Sequence, residues 1–420
     1  MKSLSTLLQI NSCVNCGSTG RIAHEIGQTV IDNGGESWIA YGRSMRKSTS
    51  HLIRIGDSID VYSHALLTRL FDRNGCGSKR ATIKFVQEIA QINPDIVHLH
   101  NIHGYYLNYK ILFDYLSTSK VQVVWTLHDC WPFTGHCAYF SLAGCDRWKT
   151  GCHDCPQAYE YPASWFRDNS RQNYQLKKSL FLGLRERLTL VPVSNWLSDL
   201  LGSSFLADIP RQVIHNGIDL SAFNVQNTES IRQKYDLGDK MIILGVASPW
   251  SYRKGLADFI KLRAELSEES YVIVLVGLTH NQIRSLPAGI LSISRTQSVQ
   301  ELAAFYSAAD VFVNPTYEDN YPTVNLEAMA CGTPVVTYRT GGSPEAVTPE
   351  TGIVVEQGDL IGLANAIRII ANRGKSVYGQ ACRIHAERYF DKQQCFMDYI
   401  YLYNNILSRL RGGGNSMVYR

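Results

Sequence analysis

The sequence lacks the features that would place it at once among membrane, secreted or nucleic-acid-binding proteins. It has no run of roughly 18 or more apolar residues, so we expect no transmembrane helix. The N-terminal stretch MKSLSTLLQINSCVNCGSTG is too polar for a signal sequence, and no small-residue cleavage site follows it. The formal net charge of +4 is too mild to indicate a nucleic-acid partner. We therefore expect a cytoplasmic protein.

A dinucleotide-binding fingerprint is also missing. The turn CGSTGR at 16–21 follows the first expected strand and opens a helix, but the G-x-G-x-x-G spacing of a nicotinamide-type site is absent. Gly17 and Gly20 would instead let the backbone approach a bound ligand closely. Glycine turns are common after a first strand, so this turn alone does not define a site.

Short apolar runs alternate with longer amphipathic stretches along the whole chain. The runs are nearly continuous, which is typical of parallel strands covered by helices on both faces. They are SWIAYG, DIVHLHN, QVVWTLHD and LTLVPVS in the N-terminal half, and MIILGVAS, YVIVLVG, GILSISR, DVFVNPT, PVVTYR and GIVVE in the C-terminal half. This alternation predicts two doubly wound α/β domains.

The domain limits follow from where this alternation is interrupted. We place an N-terminal domain at 1–205, with a cysteine-rich insertion at about 130–160, and a second domain at 206–390. Residues 391–420 are expected to form a C-terminal helix and a flexible tail.

The segment NPTYEDNYPTVNLEAMACGTPVV, residues 314–336, carries the most specific chemistry. A strand is expected to end near Thr316, and a helix to run from about Thr323 to Ala330. Backbone N–H groups at the helix start, where the helix dipole favours an anion, would suit a diphosphate. Glu327, separated from Asp319 by seven residues, could accept hydrogen bonds from a neighbouring diol such as a ribose. The alternative is an ordinary capped helix with Asp319 near its start.

This segment resembles the signature of the retaining glycosyltransferases of family 4, in which two glutamates are separated by seven residues. Asp319 stands where the first glutamate is usual, and Glu318 precedes it. The resemblance extends to HNGID at 215–219, RKG at 253–255, two glycines at 341–342 and the cysteine-rich stretch. The EDN variant resembles the colanic-acid biosynthesis glycosyltransferases in particular. The resemblance implies the GT-B fold, with two Rossmann-like domains facing across a cleft.

The resemblance also implies roles for individual residues. Glu327 would bind the ribose hydroxyls of a nucleotide-sugar donor, and Arg253 and Lys254 would neutralise the β-phosphate as the leaving group forms. The family's usual arginine, five positions before the lysine, is replaced by Pro249. Further contacts to the donor sugar and its diphosphate are expected from Glu318, Asp319, Asn320, Tyr321 and Thr323.

The N-terminal domain would supply the acceptor side, with Gly17 in the loop that lines the cleft. His128 lies at the carboxyl end of the expected strand QVVWTLHD and resembles the family's cleft histidine. A core histidine satisfied by hydrogen bonds is the alternative. The preceding strand ends in HLHNIHG, which contains His98, His100 and His103. His100 and His103 are candidates to face the same cleft, and a structural role for any of the three is the alternative.

Five of the 11 cysteines lie within residues 130–155. Cys130 is expected in the core, and Cys13 and Cys16 are read as small buried hydrophobes. The other four fit a structural zinc site, because a loop this long without its own core needs a staple. They are Cys137, Cys145, Cys152 and Cys155. Free or redox-labile thiols and disulfides are the alternatives.

The stretch TRLFDRNGCGSKRATIKF, residues 68–85, suggests a membrane surface. Its basic residues outnumber one acid, Asp72, and Leu70, Phe71 and Phe85 are interleaved with them. The basic residues are Arg69, Arg73, Lys79, Arg80 and Lys84. A solvated basic surface is the alternative.

Together these observations predict an enzyme that transfers a hexosyl or deoxyhexosyl group with retained configuration. The donor would be a GDP- or UDP-linked sugar, and the acceptor an oligosaccharide or a polyprenyl-diphosphate-linked glycan at the inner face of the membrane. The family's catalysis needs no metal cofactor. Two alternatives stay open: a GT-B nucleotide-sugar 2-epimerase and a non-catalytic donor-binding subunit. The second is considered because Asp319 and Pro249 depart from the family's usual glutamate and arginine.

Overall fold

Two parallel six-stranded sheets organise the chain, and each belongs to its own unit. The computed structural model describes residues 4–410, without the side chain of residue 230. The first unit comprises the described residues up to His215 and those from Cys395 onward, and the second is Asn216–Gln394.

The first sheet has the strand order β3-β2-β1-β4-β5-β6, with every pairing parallel. Its strands are β1 (Thr6–Ile10), β2 (Glu36–Tyr41), β3 (His51–Arg54), β4 (Ile96–Leu99), β5 (Gln122–Leu127) and β6 (Leu188–Pro192). The helices of this part of the chain are α1 (Gly17–Asp32), α2 (Ser58–Phe71), α3 (Lys79–Ile92), α4 (Tyr109–Thr118), α5 (Ser170–Leu182) and α6 (Asn195–Gly202).

The second sheet has the order β12-β11-β10-β7-β8-β9, which repeats the topology of the first. Its strands are β7 (Met241–Val246), β8 (Tyr271–Val276), β9 (Ile290–Ile293), β10 (Val311–Asn314), β11 (Val335–Tyr338) and β12 (Gly352–Val355). The helices that follow α6 are α7 (Glu229–Lys234), α8 (Leu256–Glu265), α9 (His280–Ser285), α10 (Val299–Ala308), α11 (Thr323–Ala330), α12 (Leu360–Arg373), α13 (Lys375–Tyr389) and α14 (Lys392–Arg409). Both sheets have the order of a doubly wound Rossmann-like fold, as predicted.

The sheet order determines where ligands are expected. In a doubly wound sheet, ligands bind outside the carboxyl ends of the strands, at the point where the strand order reverses. That point lies between β1 and β4 in the first sheet and between β7 and β10 in the second. Three of the continuous apolar runs are central strands, β4, β5 and β10, and each of them is buried at every position.

The observed limits of the two units lie C-terminal of the expected ones at 205/206 and 390/391. The segment after α6 stays with the first sheet because its backbone pairs with β6. Leu190 N–H donates to the carbonyl of Pro210 at 2.9 Å, and Gln212 N–H donates to the carbonyl of Leu190 at 3.1 Å.

The helix α14 returns to the first unit. Phe396, Tyr399 and Tyr403 pack in an apolar cluster with Leu7 and Ile26 of β1 and α1. The C-terminal helix therefore completes the first unit, and is not the separate segment 391–420 that we expected. The predicted flexible tail, 412–420, lies outside the described residues. None of the helices within residues 4–410 has the length and apolar character needed to cross a membrane.

Candidate functional site

The loop between β10 and α11 holds a buried ion pair at the carboxyl edge of the second sheet. The carboxylate of Asp319 accepts from the ammonium of Lys254 and from the backbone N–H of Asn320 at 3.0 Å. Burial alone would raise the pKa of Asp319, but the charges of Lys254 and Arg253 outweigh it and hold that pKa below its ordinary value. Asp319 is therefore ionised at neutral pH and keeps Lys254 in place.

The RKG segment is docked on this loop rather than solvated as a free turn. Arg253 Nη1 donates to the carbonyl of Glu318 at 2.5 Å, and the carbonyl of Arg253 accepts from Tyr317 N–H at 2.8 Å. Gly255 has φ +75°, and a Cβ there would lie 2.1 Å from the carbonyl oxygen of Pro315. Arg253 is thus held on this loop by backbone contacts and Lys254 by the carboxylate of Asp319, and a side chain at 255 would disturb both.

The glycine pair at 341–342 packs on the same loop. Gly341 has φ +54°, and a Cβ there would lie 1.8 Å from the carbonyl oxygen of Asp319. Any other residue would displace the loop that carries the ion pair. Gly341 therefore allows Asp319 to keep its position, a role that the sequence pattern did not reveal.

Helix α11 runs from Thr323 to Ala330, as predicted. It begins after Pro322, which offers no side-chain cap, and its first turn holds no acidic residue. Asp319 bonds Lys254 and Asn320 instead, so it is not the cap that the alternative interpretation required. An uncapped helix start beside two cations is an arrangement that attracts an anion.

Glu327 lies on α11 as a buried carboxylate. Its Oε2 accepts a hydrogen bond from the hydroxyl of Tyr306 on α10 at 2.9 Å. On the same helix Asn325 accepts from Asn314 Nδ2 at 2.8 Å and donates to Ser343 Oγ at 3.0 Å. This buried network joins β10, α11 and the segment after Gly342, and it fixes the helix in register with the strand ends.

The remaining residues expected to contact the donor lie on the same loop. Glu318 and Asn320 are buried, and so is Tyr321. The carbonyl of Tyr321 accepts from Asn216 Nδ2 at 3.3 Å, which brings the HNGID motif to this loop. The structure thus brings together the RKG, EDN, HNGID and GG motifs around the start of α11.

His128 follows β5 and is half-buried at the carboxyl edge of the first sheet. Its Nε2 lies 3.2 Å from Nδ1 of His100, and burial lowers the pKa of His128 to about 4. His103 pairs with the carboxylate of Asp129 at 3.0 Å. His98 is in the core, where Nδ1 bonds the hydroxyl of Tyr403 at 2.7 Å. Of the three preceding histidines, only His100 is hydrogen-bonded to His128.

The two glycines of the first turn differ in what they permit. Gly17 has φ +65° at the start of α1, and a Cβ there would meet nothing within 4 Å. Gly20 is packed, since a Cβ would lie 2.9 Å from Cys13 Sγ. The open space at Gly17 agrees with the expected backbone approach, whereas Gly20 serves packing.

The four cysteines of the insertion lie together against the core of the first unit. Cys137 and Cys155 are hydrogen-bonded; this bond raises the pKa of Cys137 well above its ordinary value and lowers that of Cys155 to about 7. Cys152 Sγ accepts from the N–H of Gly135 at 3.1 Å, and Cys145 is half-buried nearby. In the described part of the chain no disulfide joins them.

The predicted zinc site is not preformed. Within residues 4–410, no three His, Cys, Asp or Glu side chains are arranged so that they could hold a metal ion. We expected the insertion to lack apolar packing. It instead contributes Trp131, Phe133 and Trp148 to the core of the first unit. Zinc binding by the four thiols stays a prediction.

Three buried ionisable side chains in the insertion or packed against it were missed from the sequence. His136 Nδ1 bonds the carboxylate of Asp72 at 2.5 Å, with both side chains buried. Lys177 Nζ donates to the carbonyl of Trp131 at 2.7 Å and lies 3.4 Å from the centre of its ring. Burial lowers the pKa of Lys177 to about 7. Nothing in the local pattern around Asp72, which reads as a surface segment, marks it as a buried partner.

The structure corrects part of the interpretation of the basic segment 68–85. Its five basic residues are exposed, but Phe85 is in the core and Asp72 is buried. Phe71 is exposed and lies under the guanidinium of Arg167. Further exposed apolar side chains on or near α2 and α3 are Ile59, Tyr62, Leu66, Ile83, Trp165 and Phe166. The surface of α2 and α3 is therefore more apolar than the segment alone suggested, and it also carries acids outside that segment, such as Glu88, which pairs with Lys84 at 4.0 Å.

Comparisons with known proteins agree in both halves of the chain. Residues 19–222 match the family model for Glycosyltransferase Family 4, and residues 240–373 match that for Glycosyl transferases group 1. WcaC of Escherichia coli (strain K12), named provisionally as a colanic acid biosynthesis glycosyl transferase, is 25% identical over 95% of this chain and 100% of its own length. The capsular polysaccharide biosynthesis glycosyltransferase CapM of Staphylococcus aureus is 26% identical over 47% of this chain and 55% of its own.

Solved structures show the same fold. Sucrose-phosphate synthase from Thermosynechococcus elongatus superposes with a TM-score of 0.71 at 18% identity, over 96% of this chain and 99% of that one. Anabaena HepE, solved in complex with UDP-glucose, gives a TM-score of 0.65 at 14% identity, over 95% and 99% of the two chains. These likenesses establish the GT-B fold.

Proposed function

We propose a specific reaction for this chain, which is a glycosyltransferase of the GT-B type. It transfers a sugar, with retained anomeric configuration, from a nucleotide diphosphate sugar to an oligosaccharide or lipid-linked acceptor of a surface polysaccharide. The similarity to WcaC and CapM supports this class of acceptor. The complex of HepE with UDP-glucose supports a nucleotide-sugar donor.

The observation that carries the proposal is the placement of Lys254 and Arg253 beside the start of α11. Breaking a sugar–phosphate bond builds negative charge on the departing diphosphate, and fixed cations there lower the barrier without reorganising. Lys254 is held by Asp319, and Arg253 by the carbonyl of Glu318. Arg253, adjacent to Lys254, would then substitute for the family's arginine that Pro249 replaces.

The donor would lie along the start of α11. The diphosphate contacts the amides of the first turn at Thr323, and Glu327 accepts hydrogen bonds from the ribose hydroxyls. Tyr306 already donates to Glu327 Oε2, so this carboxylate is oriented before a donor arrives. The backbone around Asn320 and Tyr321 contacts the sugar. The positive charge that a catalytic metal ion would supply comes from the two side-chain cations, so the chemical step itself needs no metal ion.

The first unit would bind the acceptor at the edge that carries Gly17 and His128. Its exposed basic and apolar surface on α2 and α3 would contact an anionic membrane, which brings the enzyme to a lipid-linked acceptor at the cytoplasmic face. Arg69 contributes to this surface and lies 5.4 Å from the ring of Trp165. Zinc, if bound by the four cysteines, is structural.

The test is a thermal-shift screen of the full chain against GDP- and UDP-linked sugars, followed by transfer assays with the donor that binds. A bound donor raises the melting temperature by mass action. Transfer to a glycan acceptor with an α-configured donor giving an α-linked product supports the reaction. Interconversion of the nucleotide sugar without acceptor would instead indicate an epimerase. Donor binding without any turnover would indicate a non-catalytic subunit.

A further inference from the structure

A chain of three hydrogen-bonded side chains runs across the carboxyl edge of the first sheet. Gln9 on β1, His100 after β4 and His128 after β5 lie on three adjacent strands or just beyond their ends. Gln9 Oε1 lies 3.1 Å from His100 Nε2, and His100 Nδ1 lies 3.2 Å from His128 Nε2. Gln9 and His100 are buried, and only His128 is half-buried.

The direction of each hydrogen bond in this series follows from the contact that Gln9 makes at its buried end. Gln9 Nε2 donates to the backbone carbonyl of Ala23 at 2.8 Å, and a carbonyl can only accept. The amide of Gln9 therefore presents its oxygen to His100, whose Nε2 must carry the proton.

The state of His128 follows from that of His100. Burial lowers the pKa of His100 well below its ordinary value, so at neutral pH its ring carries one proton and Nδ1 is an acceptor. His128 Nε2 must then donate to it. Burial also lowers the pKa of His128 to about 4, so the ring is neutral and its Nδ1 carries no proton.

We propose that Gln9 and His100 are positioning residues that hold His128 in the tautomer with an unprotonated Nδ1, so that His128 accepts a hydrogen bond from a sugar hydroxyl. The use of that hydroxyl rests on the proposed function. A lone pair attracts an O–H donor and repels the oxygens of a phosphate or carboxylate. This disfavours a phosphate or carboxylate oxygen at His128 Nδ1, and a hydroxyl is the donor that a sugar offers. No described residue supplies a hydrogen bond to His128 Nδ1 in its place.

The tautomer is measured independently of activity by nitrogen NMR of the full chain with labelled histidine. The nitrogen shifts separate protonated from unprotonated ring positions, and the His128→Asn variant identifies the signals of His128. We expect a protonated Nε2 and an unprotonated Nδ1 near neutral pH. A protonated Nδ1 on His128, or a charged ring, would overturn the proposal.

Variants then test the hydrogen-bonded series of Gln9, His100 and His128, here called the relay. His100→Leu removes the acceptor and should release His128 into a mixture of tautomers, as should Gln9→Leu one step earlier. His100→Asn places an amide oxygen where Nδ1 lies and should restore the wild-type tautomer. Thr126→Val is the control for a general loss of buried hydrogen bonds, since it deletes those to His98 at 2.8 Å and to Tyr399 at 3.0 Å and leaves the residues of the relay unchanged. Wild-type tautomer populations in His100→Leu would count against the role of His100.

Activity measurements test whether His128 accepts a hydrogen bond from a hydroxyl of the reacting sugar. We expect kcat/KM to fall about tenfold in His100→Leu and Gln9→Leu, which is the value of one ordinary hydrogen bond, and to recover in His100→Asn. The stability of Thr126→Val should fall without this loss. If the tautomer shifts while kcat/KM is unchanged, His128 does not bind the reacting sugar. If no nucleotide sugar is turned over at all, the NMR result still decides the tautomer, so the two failures are distinguishable.

Discussion

Lys254 and Asp319 form an ion pair that joins the turn before α8 to the loop after β10. Both side chains are largely buried, with 22% and 14% of their surfaces exposed. A partly buried pair restricts a lysine that would otherwise be mobile, and it keeps a positive charge at the start of α11 before any ligand binds. The pair therefore positions the group that we assign to the departing diphosphate.

Lys254→Ala should lower kcat by about 100-fold or more, because one preorganised donor to a developing negative charge contributes about that much. Initial rates at saturating donor measure the effect. Lys261→Ala, on the exposed side of α8, is the matched control and should keep the wild-type rate. Arg253→Ala tests the neighbouring cation in the same assay. If both Lys254→Ala and Arg253→Ala keep wild-type rates, the leaving group is stabilised elsewhere.

Glu327→Gln should weaken donor binding by about one to two decades. A hydrogen bond to a charged group is worth roughly 1.5–3 kcal/mol, and the amide removes that charge while keeping the shape. Calorimetric titration with the donor measures the affinity, and Glu269→Gln on the surface is the control. The Tyr306 hydroxyl can still donate to the amide oxygen, so the fold should be retained. Unchanged donor affinity would remove Glu327 from the site.

The stability of the second unit should depend on Asp319 at acid pH. Its pKa is lower in the folded chain than in the unfolded one, so its contribution is present above the unfolded value of about 3.9 and is lost as the pH falls towards the folded value. The difference in the free energy of unfolding between wild type and Asp319→Asn should therefore shrink below about pH 4. Urea unfolding at a series of pH values measures it. A difference that does not change with pH would contradict a lowered pKa.

The double variant Cys152→Ser and Cys155→Ser should lose bound zinc and, with it, acceptor-dependent transfer. Donor binding should be retained, because the residues assigned to the donor lie in the second unit. Elemental analysis of protein purified without chelators, compared with the Cys76→Ser variant outside the insertion, decides the metal. Four thiols would bind zinc at about 2.3 Å per sulfur, which requires their side chains to rearrange. A zinc content near zero in the wild type, with all four thiols reactive, would defeat this prediction.

Reversing the charge of α3 should weaken membrane binding. Each basic residue near an anionic surface contributes about 1 kcal/mol, so Arg80→Glu with Lys84→Glu should lower vesicle affinity by more than tenfold. Sedimentation with vesicles containing anionic lipid measures it, and vesicles of neutral lipid are the control. Arg185→Glu, an exposed residue outside this surface, should bind as wild type does. Equal binding to anionic and neutral vesicles would argue against the proposed contact.

The sequence predicted the central strands and α11 because those elements are specified locally. The apolar runs of β4, β5 and β10 are buried at every position, and the helix predicted from about Thr323 to Ala330 is found there. Edge strand β3 was missed since HLIR is short and only Ile53 in it is buried. Its place depends on pairing with β2, which no local pattern encodes.

Contacts between distant residues account for the other differences. Asp72 reads as a surface acid because its neighbours are basic, yet His136, 64 positions away, makes it a buried partner. The motifs around α11 could be placed in one site only through a resemblance. The hydrogen-bonded series Gln9, His100 and His128 could be recognised only once the strand order was known, because strands that are adjacent in this sheet are not all adjacent in sequence.

The return of α14 to the first unit affects the order in which the protein can be completed during synthesis. Tyr403 bonds His98 in the core of the first sheet, so that sheet lacks part of its cover until the ribosome has added nearly the whole chain. The two crossings between the units are themselves paired, since Ile218 N–H donates to the carbonyl of Phe390 at 2.8 Å. In genetic terms the second unit is inserted into the first. A truncation after Gln394 would therefore damage the N-terminal half of the enzyme, while the two ends of the excised second unit would already lie side by side.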